Sequence, residues 1–286
     1  MDKEFQNHIS EILGSSIVKY LAVSGGDSSN AYKIETTSDY LFIKTNTATH
    51  ALDMFKKEAF GLNLIEQTKT IKTPNLLGFG SFNQTAYLIL EYIESKSATS
   101  ADLEKLGVQL AQLHQCSVDH FGLETDNYIG LLTQSNKTKN NWLDFYTEKR
   151  LCPQLLLAKS NGLLSANEYP NGETIKERLS VYFDNIKPSL LHGDLWNGNY
   201  LISKSGTPYL IDPAVYYGHS EVDIAMSKLF GGFGNAFYNA YHANIPKDKY
   251  TPERIEMYQL YYLLVHLNMF GRSYYGSVSD ILKKYF

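Results

Sequence analysis

The sequence predicts an α+β protein with two lobes, a small antiparallel-sheet lobe with one helix and a larger, mainly helical lobe. Three observations support this prediction. Short apolar or alternating segments separated by turn residues fill most of the first 93 residues. Helical periodicity prevails in the remainder. A polar, unpatterned stretch at residues 95–97 lies between these two regions. We therefore expect one lobe over residues 1–93 and another over residues 94–286.

The composition is that of an ordinary globular protein. Of 286 residues, 43% are hydrophobic and 20% charged, which excludes disorder as the dominant state. Lys and Arg number 26 against 30 Asp and Glu, a net charge of −4 that argues against nucleic acid as a partner. We see no apolar stretch of about 20 residues to span a membrane and no apolar leader. We therefore expect a cytoplasmic protein with no membrane partner, and its oligomeric state stays open.

The first lobe has the predicted element order β-β-β-α-β-β. The apolar stretch Ile17–Val23 ends at a glycine turn, and two more short strands follow at residues 31–34 and 40–44. Apolar residues at helical spacing predict an amphipathic helix over residues 53–68. A hairpin over residues 76–90 completes this lobe.

The second lobe is predicted to consist mainly of helices. Residues 99–102 have the pattern of a capped helix start, and a stripe of leucines follows them. Further helices are predicted over residues 142–159, with a break near Pro153, and over residues 174–186. Tyrosines with helical spacing in residues 258–265 are interpreted as core.

The two cysteines do not indicate a metal site. Cys116 and Cys152 are far apart in sequence, and no second thiol or carboxylate completes a recognisable ligand set beside either of them. We therefore predict that both are plain thiols.

The most specific segment is His192-Gly193-Asp194-Leu195-Trp196-Asn197-Gly198-Asn199, followed by Asp212 after an apolar strand. An aspartate, an asparagine five residues later and this second aspartate are typical of kinase-type phosphoryl transfer. Asp194 fits the base that accepts the proton of the attacking hydroxyl. Asn199 and Asp212 fit the oxygen ligands of Mg²⁺, and His192 is interpreted as a brace of the loop. A polar loop of structural Asx turns is the alternative.

A lysine and a glutamate upstream fit the same chemistry. Lys44 ends the third predicted strand, and Glu58 lies fourteen residues later on the predicted helix. In kinases such a glutamate holds the lysine that binds the phosphates of ATP. Taken alone, two such charges are more typical of a solvated surface pair, so this interpretation depends on the downstream motif.

Two further segments are candidates for contacts to ATP. Glycines in the turn between the first two strands allow backbone N–H groups to approach phosphates, although such a turn alone indicates only a hairpin. The segment that ends the fifth strand offers backbone groups to an adenine edge, with a simple connector as the alternative. The candidates are Gly25, Gly26, Ser28 and Asn30 in the turn, and Glu91, Tyr92 and Ile93 in the segment.

Together these residues resemble the fructosamine kinase (ketosamine 3-kinase) family, which is akin to aminoglycoside and choline phosphotransferases. The His-Gly-Asp motif with its later asparagine marks this wider superfamily. Trp196 and the run Asp212-Pro213-Ala214-Val215-Tyr216-Tyr217-Gly218 are similar to the ketosamine branch. The resemblance covers essentially the whole chain and implies a protein-kinase-like fold.

The resemblance also implies a reaction. It is the ATP- and Mg²⁺-dependent phosphorylation of the 3-hydroxyl of a ketoamine, either a small molecule or a glycated lysine. In that family the 3-phosphate makes the adduct unstable, so that the free amine is released. By position, Asp194 matches the family's proton acceptor and Trp196 lines its sugar pocket. Asp223 would support the catalytic loop, and Glu221 is a weaker candidate for the same role.

Two other functions stay open at this point. A phosphotransferase for another hydroxyl substrate, such as an aminoglycoside, choline or a sugar, would share the nucleotide residues, but the context of Trp196 argues against it. An inactive nucleotide-binding module would have lost one of Lys44, Asp194, Asn199 and Asp212, and the chain keeps all four. Some relatives carry a cysteine in the glycine turn, which this chain lacks, so no thiol switch is expected there.

Overall fold

The chain folds into two units, and each unit is built from two segments of the sequence. A computed structural model describes residues 1–23 and 29–286. The first unit comprises Met1–Ser97 and Leu201–Asp212, and the second comprises Ala98–Tyr200 and Pro213–Phe286. The first boundary thus lies beyond the one expected at residue 93. The sequence patterns do not predict the return of residues 201–212 to the first unit.

An antiparallel sheet organises the first unit. Helix α1 (Lys3–Leu13) precedes it. The strands are β1 (Ile17–Val23), β2 (Asn30–Thr36), β3 (Tyr40–Asn46), β4 (Leu76–Phe82) and β5 (Thr85–Glu91). They lie in the order β1-β2-β3-β5-β4, and α2 (Ala51–Gln67) connects β3 to β4. The predicted order β-β-β-α-β-β is therefore confirmed, with α1 as an additional element.

Helices cover both faces of this sheet. Alternate residues of a strand point to opposite faces, so Tyr87 and Ile89 of β5 pack with α1, whereas Leu88 packs with α2. The start of α1 is fixed by Asp2, whose side chain accepts a hydrogen bond from Phe5 N at 2.8 Å. The sheet that carries Lys44 thus has an apolar core on each side.

The polar, unpatterned stretch at residues 95–97, which the sequence analysis places between the two regions, contains a short strand. Strand β6 (Ser95–Lys96) pairs antiparallel with β10 (Tyr200–Ser203), and β11 (Pro208–Leu210) continues this sheet in the order β11-β10-β6. The partner strand lies more than a hundred residues away in sequence, so local patterns do not reveal the pairing. This small sheet explains why residues 201–212 belong to the first unit.

The second unit is mainly helical. Its strands form two short pairs, β7 (Asn127–Ile129) with β8 (Leu132–Gln134) and β9 (Ser189–Leu191) with β12 (Tyr216–Gly218). Its helices are α3 (Ser100–His114), α4 (Trp142–Tyr146), α5 (Cys152–Ser160), α6 (Gly172–Ser180), α7 (Glu221–Leu229), α8 (Asn235–Asn244), α9 (Thr251–Phe270) and α10 (Tyr275–Tyr285). The predicted tyrosine stripe lies on α9, where Tyr258, Tyr261 and Tyr262 are buried. The α+β fold class is confirmed.

Two predicted helices have different boundaries in the structure. Between α4 and α5 the chain forms a π-helical turn, Thr147–Leu151, so the irregularity precedes Pro153. Pro153 itself lies in the first turn of α5, where its missing N–H removes no helical hydrogen bond. The helix predicted over residues 174–186 corresponds to α6, which ends at Ser180.

Three further sequence features can be compared directly. At the start of α3, Thr99 and Asp102 form the predicted capping box, with Thr99 N donating to Asp102 Oδ2 at 2.9 Å. Cys116 and Cys152 are free thiols, as predicted. Within residues 1–23 and 29–286, no helix is both long and apolar enough to cross a bilayer.

Candidate active site

The first part of the site is a buried ion pair. Lys44 lies on β3 and Glu58 on α2, and Lys44 Nζ is 2.8 Å from Glu58 Oε1. Their side chains are only 7% and 15% exposed. A solvated surface pair, which the sequence left as an alternative, is therefore excluded.

Asp212 joins this pair, so that one ammonium group faces two carboxylates. Asp212 Oδ1 accepts a hydrogen bond from Lys44 Nζ. Burial opposes the charge of Lys44, but Asp212 and Glu58 outweigh burial and raise the pKa of the ammonium group above its usual value. Burial raises the pKa of Glu58 against the attraction of Lys44, and the charge of Asp212 raises it further. Lys44 is thus held as a cation in a fixed position.

The second part of the site is the loop of residues 192–199, which joins β9 to β10. Gly193 has a φ of 86°, and a Cβ atom there would come within 2.1 Å of Ala214 O, so glycine is required. Ala214 N donates to His192 O at 2.8 Å. His192 is fully buried, and its Nδ1 accepts a hydrogen bond from Asp194 N at 3.2 Å. This geometry fits the bracing role predicted for His192.

Asp194 and Asn199 contact each other within this loop. Asn199 Nδ2 donates to Asp194 O at 2.8 Å and to Asp194 Oδ2 at 3.2 Å. Asn199 N also donates to Trp196 O at 2.9 Å, which closes the turn. Because Nδ2 is directed at Asp194, the amide oxygen Oδ1 is the atom of Asn199 that could bind a metal ion. Asp194 is partly exposed, so an acceptor hydroxyl can approach its carboxylate.

Asp223 fixes the backbone of the loop. Its fully buried carboxylate accepts hydrogen bonds from His192 N at 2.7 Å and Gly193 N at 2.9 Å. The imidazole of His114 lies 3.1 Å from the same carboxylate. Tyr262, predicted only as core, donates its hydroxyl to Gly193 O at 2.7 Å. Helical spacing alone gives no signal for that contact, because it predicts burial but not the partner of the hydroxyl.

Glu221, the weaker candidate for the same support, contacts other residues. Its carboxylate accepts hydrogen bonds from Arg254 Nε at 2.6 Å, Arg254 Nη2 at 2.7 Å and Thr251 Oγ1 at 2.8 Å. It therefore ties α7 to α9. Glu221 and Asp223 are both in the first turn of α7, but residues two apart on a helix do not share a face.

Trp196 presents part of its indole ring to solvent. It is 38% exposed. A Cβ atom on Gly198 would lie 2.4 Å from Trp196 Cη2, so the ring packs against the backbone of its own loop. The other ring surface is an apolar, rigid platform of the kind that suits a ligand with C–H groups.

The residues predicted in the glycine turn are only partly described. Gly25, Gly26 and Ser28 lie outside the described residues. Asn30 is the exposed first residue of β2, opposite Thr45 of β3. It therefore stands at the end of the strand that follows the turn.

The segment predicted to contact adenine begins at the end of β5. Glu91 N donates to Asn75 O at 2.9 Å, so this N–H group is already engaged. The Glu91 carboxylate also accepts from Asn75 Nδ2 at 2.8 Å. Lys33 Nζ lies 4.2 Å from the ring centroid of Tyr92, and Ile93 is buried.

The donor types in the two parts fit Mg²⁺. No group of three or more His, Cys, Asp and Glu side chains that could hold a metal occurs in the part of the chain that the structure describes. Mg²⁺ does not need such a group, because it prefers oxygen donors and usually keeps several waters. The Asp212 carboxylate in the first unit and the Asn199 amide oxygen in the second are donors of this kind.

Related sequences match nearly the whole chain. A family model for fructosamine kinase matches residues 1–286. A probable ketoamine kinase of Enterococcus faecium is 39% identical over 93% of this chain and 95% of its own length. The chloroplastic protein-ribulosamine 3-kinase of Arabidopsis thaliana is 38% identical over 97% of this chain and 85% of its own length.

Solved structures agree with this relationship. A putative fructosamine-3-kinase of Haemophilus somnus superposes with a TM-score of 0.88 at 28% identity, covering 99% of this chain and 96% of the other. An aminoglycoside phosphotransferase, solved with AMP-PNP and hygromycin B, has a TM-score of 0.62 at 15% identity, covering 99% and 98%. The second likeness concerns the fold alone and confirms the predicted kinase-like fold. The chain belongs to the fructosamine kinase family.

Proposed function

We propose that the protein transfers the γ-phosphate of ATP to the 3-hydroxyl of a ketosamine. Membership of the fructosamine kinase family supports the reaction class. The observation that carries the chemistry is the pair of Asp194 and Asn199 in a loop whose backbone Asp223 holds. A partly exposed carboxylate, oriented by an amide, is suited to accept a proton from a substrate hydroxyl.

The proposed step balances in the following way. The 3-hydroxyl oxygen forms a bond to the γ-phosphorus, and its proton passes to the Asp194 carboxylate. The bond between this phosphorus and the β–γ bridging oxygen breaks, and ADP leaves with that oxygen. Lys44, held by Glu58, binds phosphate oxygens and offsets their negative charge. Because Lys44 is already fixed before ATP binds, little reorganisation is needed.

We further propose that Asn199 and Asp212 are the ligands of Mg²⁺. The bound ion would neutralise charge on the triphosphate, as it does in phosphoryl transfer generally. The amide of Asn199 supports this assignment, because its Nδ2 donates to Asp194 and its Oδ1 is the atom suited to a metal ion. The Asp212 carboxylate supports it as well, because this carboxylate lies beside Lys44. Asn30, Glu91, Tyr92 and Ile93, with Gly25, Gly26 and Ser28, complete the proposed nucleotide contacts.

The proposed acceptor is a ribulosamine or fructosamine, free or on a lysine side chain. The exposed indole of Trp196 supports a sugar-derived acceptor. The name of the Arabidopsis relative supports a protein-bound one. The product is a 3-phosphate whose breakdown releases the amine, so the role would be deglycation. We place the reaction in the cytoplasm, where ATP is available.

The test is Mg²⁺-dependent ATP consumption by the purified protein with ribulosyl-lysine, fructosyl-lysine, kanamycin or choline. We expect turnover with a ketoamine only. Asp194→Asn should lower kcat by about 10²- to 10⁴-fold, the usual contribution of general base catalysis, and leave AMP-PNP binding intact. Asp119→Asn is the matched control, because the Asp119 side chain is 98% exposed and lies 2.9 Å from His120 Nδ1. Turnover of kanamycin or choline alone would overturn the ketosamine assignment. An unchanged Asp194→Asn rate would overturn the assignment of the base.

A further inference from the structure

A buried pair of amide side chains lies next to the segment that packs on the catalytic loop. Asn127 on β7 and Gln134 on β8 are 5% and 2% exposed. Gln134 Nε2 donates to Asn127 Oδ1 at 2.8 Å. Neither residue belongs to a motif that the sequence analysis identifies, and both are polar groups in a place where apolar side chains are usual.

The two amides hold the backbone of Ala214 and Val215. Asn127 Nδ2 donates to Val215 O at 2.9 Å, and Gln134 Nε2 approaches Ala214 O at 3.5 Å. Ala214 is also the residue that leaves no room for a side chain at Gly193 and that donates to His192 O. Ala214 thus contacts both the Gln134 amide and the loop that carries Asp194.

Other polar groups fix the orientation of each amide. Asn136 Nδ2 donates to Asn127 Oδ1 at 3.0 Å, and Tyr261 Oη donates to Gln134 Oε1 at 2.6 Å. Arg150 Nη2 then donates to Asn136 Oδ1 at 2.7 Å. The direction of every hydrogen bond in this chain of contacts is therefore determined, and neither amide can rotate without losing a buried partner.

Arg150 makes this cluster unusual for a merely structural core. The residue is fully buried, and its Nη1 and Nη2 donate to the neutral oxygens Ser135 O, Lys149 O and Asn136 Oδ1. Its guanidinium lies 3.9 Å from the ring centroid of Tyr216 and donates to Ser135 O at 2.7 Å. Apolar residues of similar volume would often be at least as stable as a buried charge. The charge of Arg150 is better explained by a requirement that the hydrogen bonds of this cluster adopt one fixed arrangement.

We infer that Asn127 and Gln134 are positioning residues for phosphoryl transfer, which they serve by fixing Ala214 and Val215 against the loop of Asp194. The inference rests on the proposed function, because the proposed function gives Asp194 the role of the base. Neither side chain contacts a reacting atom in this view. A shift of about 1 Å in the loop would suffice to slow the chemical step by about 10²-fold.

The test is steady-state kinetics on ribulosyl-lysine with Asn127→Leu and Gln134→Met. Both changes keep the length of the side chain and remove hydrogen bonds. We expect kcat to fall by roughly 10- to 100-fold, with KM for the ketoamine and the Kd of AMP-PNP within about twofold of the wild type. Gln134→Met keeps the bond from Asn127 to Val215, so it is the milder variant if Asn127→Leu does not fold.

Gln154→Met is the matched control. Gln154 is a buried amide on α5 whose Oε1 accepts a hydrogen bond from Asn268 Nδ2 on α9 at 2.8 Å. We expect this variant to lose thermal stability and keep kcat. An unchanged kcat in both test variants, or an equal loss of kcat in Gln154→Met, would overturn the inference alone. A wild type without ketoamine turnover would instead overturn the proposed function, and the inference with it.

Discussion

At the scale of single residues, two carboxylates hold Lys44, the cation proposed to bind phosphate. We expect Lys44→Met to lower kcat/KM for ATP by about 10²-fold or more, because it removes a preorganised charge and leaves Glu58 and Asp212 without a partner. Lys72→Met is the control, since Lys72 forms an ion pair with Glu66 at 3.0 Å but is 57% exposed. Such surface pairs contribute about 1 kcal/mol or less. Equal kinetics in both variants would contradict the assignment of Lys44.

Asp223 and Glu221 allow a second comparison. Asp223→Asn should lower kcat and reduce the free energy of unfolding by about 2–3 kcal/mol, because an amide cannot accept both hydrogen bonds from His192 N and Gly193 N. Glu221→Gln weakens the contacts to Arg254 and should also destabilise the protein, but kcat per folded molecule should stay near that of the wild type. Urea unfolding and steady-state kinetics measure both quantities. A loss of kcat in Glu221→Gln as large as in Asp223→Asn would disprove this distinction.

Candidate residues with charges or oxygen donors could be identified from the sequence, because their types and spacing are typical of kinase chemistry. Lys44 and Glu58 form the predicted pair, and Asp212, predicted as a metal ligand, lies beside this pair. Asn127 and Gln134 could not be predicted in this way. A buried amide has no sequence signature, since its hydrogen-bond partners are determined by which strands and loops the fold brings next to it.

At the scale of elements, helix α3 begins with a reciprocal cap. Thr99→Ala removes the hydroxyl that accepts from Asp102 N, and we expect it to lower the free energy of unfolding by about 1 kcal/mol with no change in kcat. Ser100→Ala changes a neighbouring exposed hydroxyl that caps nothing, so it should alter stability by only a few tenths of a kcal/mol. Identical thermal unfolding of the two variants would contradict the role of the cap.

Elements with strong local signals were predicted closely, and elements that depend on distant partners were not. Strand β1 has the predicted bounds, and α3 begins at the predicted cap. Strand β6 was missed because two polar residues become a strand only through pairing with β10. Helix α1 is an exception, because it was missed although Phe5, Ile9, Ile12 and Leu13 have helical spacing and Asp2 and Gly14 are clear caps.

At the scale of the whole molecule, His219, whose side chain is 13% exposed, gives stability a dependence on pH. Tyr258 Oη accepts a hydrogen bond from Trp142 Nε1 and lies 2.8 Å from His219 Nδ1. In this arrangement the Tyr258 hydroxyl donates its proton to a neutral imidazole. Burial lowers the pKa of His219 to about 4, with Glu221 opposing the shift. An unfolded histidine has a pKa of about 6.5. Between these values the unfolded chain binds a proton that the folded chain does not, so stability falls as pH decreases through this window.

We therefore expect the wild type to lose about 2–3 kcal/mol more than His219→Gln when the free energy of unfolding is compared at pH 7 and pH 4.5. His50→Gln is the control, because His50 is exposed and its side chain caps no backbone group at the start of α2. It should keep the pH dependence of the wild type. Parallel urea titrations give all six values. An equal pH dependence in His219→Gln and the wild type would disprove the assignment.

The return of residues 201–212 to the first unit limits how the protein can be divided. The polypeptide passes between the units after Ser97, after Tyr200 and after Asp212. A protease that cuts after Ser97 leaves residues 1–97 without a peptide bond to the rest of the first unit, so that non-covalent contacts such as the pairing of β6 with β10 must hold that unit together. A gene truncated after Ser97 would encode a sheet whose strand β6 lacks its partner and whose Lys44 lacks Asp212. The first unit therefore cannot be moved into another protein as one continuous segment of sequence, and a protein with all the candidate site residues needs both units.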